Sequence, residues 1–149
     1  MKTKTFDYAL RATWGAVSKM YNRTAAKFDS TMATGFALLN IDTEGTPSTA
    51  LGPKMGMEGT SISRLLKSME SRGLIERKPD PSDGRGVLIY LTDFGREKRE
   101  FSKQTVLHFN DAISNELSEE KINHFYEVID CITNYCNNFQ EHNNEVNVN

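Results

Sequence analysis

The chain is 149 residues long, 38% hydrophobic and 26% charged, with a formal net charge of −2, which fits about one globular domain whose modest apolar content calls for a partner copy to complete its core. No apolar run approaches the roughly 18 residues of a membrane span, and the opening MKTKTFDYALR lacks the apolar stretch of a signal peptide, so a cytoplasmic protein with no membrane partner is expected. Charge is unevenly spread: residues 1–53 carry six basic and four acidic side chains, 54–99 ten and seven, and 100–149 two and nine, so the middle of the chain is the part suited to a polyanion.

Phe6, Leu10, Trp14, Val17, Tyr21 and Phe28 recur at helical spacing and predict a long first helix over Phe6–Phe28. A shorter helix follows over Thr31–Asn40, then a polar loop over Asp42–Gly45. Trp14, Tyr21, Met32 and Phe36 are core residues or the lining of a ligand pocket, and core is the commoner use of aromatic and Met side chains at this spacing. The segments TPSTALGPKMG and MEGTSISRLLKSMESRG read as two short helices hinged at Gly56, with Gly73 where the second should end. Gly52 and Pro53 inside the first of them predict an irregular helix, since Pro lacks the N–H that a helix uses beyond its first turn. Two short helices about a tight turn outline a helix-turn-helix.

On the second of these helices, Ile62, Leu65, Leu66 and Met69 form one apolar stripe at about 100° per residue. The opposite face carries Thr60, Arg64, Lys67 and Ser71, and the flanking Ser61, Ser63 and Ser68 extend the same chemistry. All are hydrogen-bond donors and none is acidic. Such side chains suit phosphates and base edges in a DNA major groove, where Arg is the commonest reader of guanine. The alternative is an ordinary solvated helix face.

Next come two strand-like runs, Leu74–Lys78 and Val87–Thr92, the second alternating Val87, Ile89 and Leu91 against Leu88 and Tyr90. The turn PDPSDGRG joins them, bent by its prolines, Asp83, Gly84 and Gly86, with Arg85 as the cation at the tip. A lone tip Arg suits a narrow minor groove, where negative potential is concentrated. After Thr92, an expected N-cap with Asp93 in the first turn, a long helix runs through Phe94, Phe101, Thr105 and Ala112. A last helix begins at Ser118, and its Ile122, Phe125, Ile129, Ile132, Cys136 and Phe139 form a seam for packing against another helix. Cys131 and Cys136 lie on different faces of that helix and are expected to be buried, reduced thiols. The Asn-rich tail, about 141–149, is expected to be disordered.

Helix, helix, hairpin is the order of a winged helix-turn-helix. The stretch GTSISRLLKSMESRGLIERKPDPSDGRGVLIYLTDFG resembles the signature of the MarR family of bacterial transcriptional regulators, through RGLIERKPDP, the Asp-x-Arg at Asp83 and Arg85, and LTDFG. The helix order on either side fits as well, so the likeness covers nearly the whole chain. It implies a mainly α fold with a small β-hairpin wing, in which 31–99 form the DNA-binding lobe and 1–30 with 100–140 form a helical dimerisation lobe. It further implies a homodimer on pseudopalindromic double-stranded promoter DNA, one recognition helix per subunit in the major groove and the wing in the minor groove. Release by small phenolic or amphipathic ligands is implied too. The expected DNA-binding residues are Thr60, Ser61, Ser63, Arg64, Lys67, Ser68, Ser71 and Arg85, with Asp83, Gly84 and Gly86 supporting the wing.

Two positions depart from the family pattern. Members often have Asp-Arg-Arg in the wing, where this chain has Asp83, Gly84 and Arg85. Many place an acidic residue at the position of Lys67 to hold the wing arginine, which leaves Asp83 as the local anion for Arg85. A regulator of another winged-helix family and a protein-binding winged helix are the alternatives, the latter disfavoured because protein interfaces prefer aromatic and apolar anchors. No enzyme is expected: His108, His124 and His142 form no HExxH or CxxC arrangement, and there is neither a phosphate-binding glycine motif nor a nucleophile elbow. No cofactor and no metal site are expected.

Overall fold

The structure, a computed structural model, describes the backbone of residues 4–146 and the side chains of residues 4–139. Its elements in chain order are α1 (Phe6–Ala26), α2 (Met32–Asn40), β1 (Thr46–Pro47), α3 (Ser48–Met55), α4 (Gly59–Ser71), β2 (Ile75–Asp80), β3 (Asp83–Leu91), α5 (Asp93–Asn115) and α6 (Glu119–Val146). The three strands form one antiparallel sheet in the order β1-β3-β2. This is the mainly α, winged helix-turn-helix fold that the sequence predicts.

Local chemistry accounts for most helix boundaries. Thr5 and Thr31 cap α1 and α2, each side-chain oxygen accepting the backbone N–H three residues on, which satisfies a donor the helix leaves without an internal partner. α3 and α4 end alike. At the first, the Gly56 N–H donates to Pro53 O at 3.3 Å and the Met57 N–H to Gly52 O at 2.9 Å; at the second, Gly73 N–H reaches Glu70 O and Leu74 N–H reaches Met69 O, both at 3.0 Å. Both are Schellman ends, and Gly56 (φ 61) and Gly73 (φ 73) supply the left-handed residue that costs a side-chain-bearing residue most. Pro53 does not disrupt α3: the helix is continuous across it and stops two residues later, so the irregular helix expected from Gly52 and Pro53 is not found. Gly52 has a packing reason, since a Cβ there would stand 3.1 Å from the Met57 carbonyl in the helix-turn-helix turn.

The chain divides into two compact units, 1–104 and 105–149. The core of the first gathers Ala37, Leu38 and Ile41 from α2 and its cap, Leu51 from α3, Ile62, Leu66 and Met69 from α4, and Leu74, Ile75, Ile89 and Leu91 around the sheet. Ile89 lies on the central strand and is fully buried. α1 falls with the winged-helix unit because Trp14 and Tyr21 lie against Phe36, with ring centroids 6.4 and 6.2 Å apart, and Phe28 lies 4.4 Å from Phe101.

The second unit holds the end of α5 and all of α6. Leu107, Ile113, Leu117, Phe125, Tyr126, Val128, Tyr135 and Phe139 are exposed there, while Ile122, Ile129 and Ile132 are half-buried. The expectation of buried cysteines is overturned: Cys131 and Cys136 are both exposed, because within one chain the seam of α6 has too little covering it to bury any described side chain. α6 extends past the start of the Asn-rich stretch to Val146; the rest of the tail expected to be disordered, 147–149, lies outside the described residues. No helix among the described residues is long and apolar enough to cross a membrane.

Candidate nucleic-acid interface

α4 is amphipathic in the sense its sequence predicts. Ile62, Leu66 and Met69 are buried and Leu65 is half-buried, while Thr60, Ser61, Ser63, Arg64, Lys67, Ser68 and Ser71 are all exposed. Burial of the apolar stripe fixes the rotation of the helix, so the polar face must point outward. Among the described residues neither Arg64 nor Lys67 forms an ion pair, so both keep their donors for a partner. Ser71 stands apart from this set: its hydroxyl donates to Ser68 O at 3.0 Å, in the last turn of the helix.

The hairpin differs from the sequence expectation in a way that changes the setting of Arg85. β2 and β3 are longer than the predicted strands and leave only Pro81 and Ser82 between them. Pairing runs from Ile75↔Leu91 to Pro79↔Val87, then jumps to Asp80↔Asp83. The jump leaves Gly84, Arg85 and Gly86 without partners on β2, so Arg85 sits in a bulge rather than in a loose loop. Bulges re-aim side chains, and Arg85 is exposed on this one.

Short polar contacts hold the tip. The Asp80 carboxylate accepts from the Ser82 hydroxyl at 2.7 Å and from its N–H at 2.9 Å, and these bonds keep the Asp80 carboxyl below its ordinary pKa. Asp83 accepts the Arg85 backbone N–H at 3.1 Å. That corrects the expectation that Asp83 is the anion for the Arg85 side chain: the carboxylate shapes the bulge, and among the described residues the guanidinium forms no ion pair. The two glycines are unequal. A Cβ on Gly86 would lie 3.1 Å from Asp80 Cβ and 3.3 Å from Asp83 Oδ2, whereas Gly84 has no atom within 4 Å. Neither has a positive φ, so Gly86 serves close approach and Gly84 leaves an open surface.

Residues outside the predicted set also shape this face. Arg77 on β2 donates through Nε to Glu70 Oε2 on α4 at 3.0 Å, bracing helix to wing from a position one turn beyond Lys67. An exposed pair of this kind is worth about 0.2–1 kcal/mol. Arg72, exposed at the C-cap of α4, adds a cation with no ion pair among the described residues. Lys78 lies 5.0 Å from the Tyr90 ring centroid. A Glu and an Arg facing each other across a helix-to-strand turn could have been suspected from their spacing, but only pairing geometry shows that they meet. Among the described residues there is also no His, Cys, Asp or Glu group arranged to hold a metal ion.

The sequence profile of the MarR family matches residues 31–87, from the cap of α2 into β3. The HTH-type transcriptional regulator YdgJ of Bacillus subtilis is 32% identical over 90 residues, covering 60% of this chain and 55% of that protein. The chain thus spans little more than half the length of that relative. The organic hydroperoxide resistance transcriptional regulator of the same organism is 29% identical over 118 residues, 76% of this chain and 80% of that one. Among solved structures, Staphylococcus aureus MepR in its DNA complex has a TM-score of 0.81 at 21% identity, covering 89% of this chain and 99% of the other, a likeness of fold. The motif residues, the helix-turn-helix with its bulged wing, the profile match and the regulator relatives agree: over residues 31–87 the chain is similar to the MarR family.

Proposed function

We propose that the protein is a sequence-specific DNA-binding transcriptional regulator, a repressor that works as a cytoplasmic homodimer on a pseudopalindromic operator and has no enzymatic activity. The observation that carries this is the outward face of α4, acid-free over Thr60–Ser68, with Arg64 and Lys67 in no ion pair among the described residues, beside a hairpin that displays Arg85 from a bulge. Thr60, Ser61, Ser63, Arg64, Lys67 and Ser68 would enter the major groove and Arg85 the adjacent minor groove, with Asp83 and Gly86 holding the bulge and Gly84 leaving room for the backbone to approach. Ser71 is assigned a lesser part, because its hydroxyl already bonds to Ser68. The exposed apolar residues of α6 support the dimer, since contiguous apolar surface of this kind marks an interaction site.

Selection of bound duplexes from random DNA tests the proposal. A near-palindrome with half-sites centred about 10 bp apart is the expected result, together with a dimer in sedimentation at micromolar concentration. A monomer, or a single asymmetric half-site, would contradict it. On the selected operator, Arg85→Ala is expected to weaken binding to most sequences and to lower the salt slope by about one, since one phosphate-directed cation is lost. Salt titration of the variant checks this, and an unchanged slope with unchanged affinity removes the wing from the mechanism.

Release by a small phenolic or amphipathic ligand is part of the proposal. The aromatic cluster of Trp14, Tyr21 and Phe36 supports it. Trp14 remains 53% exposed, and the nearby Ser18 hydroxyl is buried with no hydrogen-bond partner among the described residues. Burial also raises the Tyr21 pKa.

A further inference from the structure

We propose that Thr92 is a positioning residue for DNA recognition, a joint that sets the angle between the recognition helix α4 and the long helix α5. The proposal rests on the homodimeric DNA-binding reading above. Thr92 stands between the end of β3 and the start of α5. Its Oγ1 donates to Gly73 O at 2.5 Å and accepts the Gly95 N–H at 3.0 Å. Its backbone N–H donates to Leu74 O at 3.1 Å. Gly73 and Leu74 follow the C-cap of α4 and close its end through their N–H groups, and Gly95 is buried in the first turn of α5. A Cβ on Gly95 would run into the Leu74 carbonyl, so the backbone entering α5 lies directly on the backbone leaving α4.

One hydroxyl therefore does two things. As an acceptor it caps α5; as a donor it ties that cap to the terminus of α4. A hydroxyl carries a single O–H donor with acceptor lone pairs, so Ser can replace Thr in both roles, Val in neither. Asp splits them. It is at least as good an N-cap as Thr, but an ionised carboxylate has no proton to give the Gly73 carbonyl. Thr92→Asp thus keeps the helix start and removes the tie. α5 continues to Asn115, and in the homodimer proposed above a looser joint at Thr92 would let the spacing of the two α4 helices vary.

The test uses the full-length protein and the operator selected by the wild type, along with operators whose half-site spacing is longer or shorter by one base pair and a duplex with a single half-site. Thr92→Ser is expected to match the wild type throughout. Thr92→Asp is expected to remain a dimer and to bind the single half-site as the wild type does, yet to bind the cognate spacing about tenfold more weakly, as two lost hydrogen bonds per dimer would give. Its preference for the cognate spacing over the shifted ones should narrow to match. Thr92→Ala, which removes both side-chain bonds, provides a second variant if Thr92→Asp does not fold. Full retention of spacing preference by a folded Asp or Ala variant overturns the proposal, and so does an equal loss on half-site and full operator. A wild type that selects no duplex overturns the DNA-binding reading itself, whereas a wild type that binds while its Asp variant keeps the spacing preference overturns only the joint.

Discussion

Arg64→Ala is expected to cost roughly 1–3 kcal/mol in operator binding, about fivefold to a hundredfold. Arg64 occupies the sixth position of a helix whose other side is anchored by Ile62, Leu66 and Met69, so its backbone is placed by the core and its side chain is not needed for folding. It is exposed, and among the described residues it forms no ion pair that a base or phosphate would have to break. Thr60, Ser61 and Ser63 lie in the turn before it, where short hydroxyl side chains let the helix approach a groove while the longer Arg reaches farther. The affinity of the variant for the selected operator and for its single-base variants, measured across a salt titration, separates two mechanisms. Loss concentrated at one position of each half-site identifies base readout by the guanidinium. Uniform loss with a salt slope lower by about one identifies a phosphate contact. Unchanged affinity in a dimer of unchanged stability would exclude Arg64 from the interface, and with it the central residue of the proposed recognition face.

Gly95→Ala is expected to destabilise the winged-helix unit by about 3 kcal/mol, the upper end of the usual overpacking range. The obstacle is the backbone carbonyl of Leu74, which cannot rotate away as a side chain would. Moving it disturbs the Thr92 N–H bond to the same oxygen and the buried side chains of Leu74 and Leu91 beside it. For a unit of this size the melting temperature should fall by roughly 10–20 °C. Thermal unfolding followed by circular dichroism checks it, with Gly84→Ala as the control. Gly84 has open space around it, so its variant should melt within about 0.5 kcal/mol of the wild type. Equal melting of Gly95→Ala and the wild type would mean that the close approach of α4's terminus to α5 is not a constraint on folding.

Most of the helical framework was legible in the residues because it depends on local rules. The 3.6-residue period of the apolar side chains placed α1 and α4; Thr92 marked a helix start by offering an oxygen to the N–H three residues on; Gly56 and Gly73 marked the turn and the helix end by adopting a left-handed conformation. The same periodicity separated the buried stripe of α4 from Arg64, Lys67 and their neighbouring serines, so the candidate site was readable before any coordinates. Tertiary structure alone decided what depends on residues far apart in the chain. The strand ends and the bulge at Arg85 come from a shift in pairing between β2 and β3, and a period-2 pattern interrupted by Pro79, Pro81 and two glycines does not encode that shift. Asp83 contacts the backbone of Arg85 rather than its guanidinium because the bulge brings the N–H to the carboxylate. Glu70 meets Arg77, and Thr92 meets Gly73, only because the sheet returns the chain to the end of α4. The cysteines show the same limit from the other side: periodicity identified an apolar seam on α6, but burial of Cys131 and Cys136 requires a surface to cover them, and a single chain does not supply it.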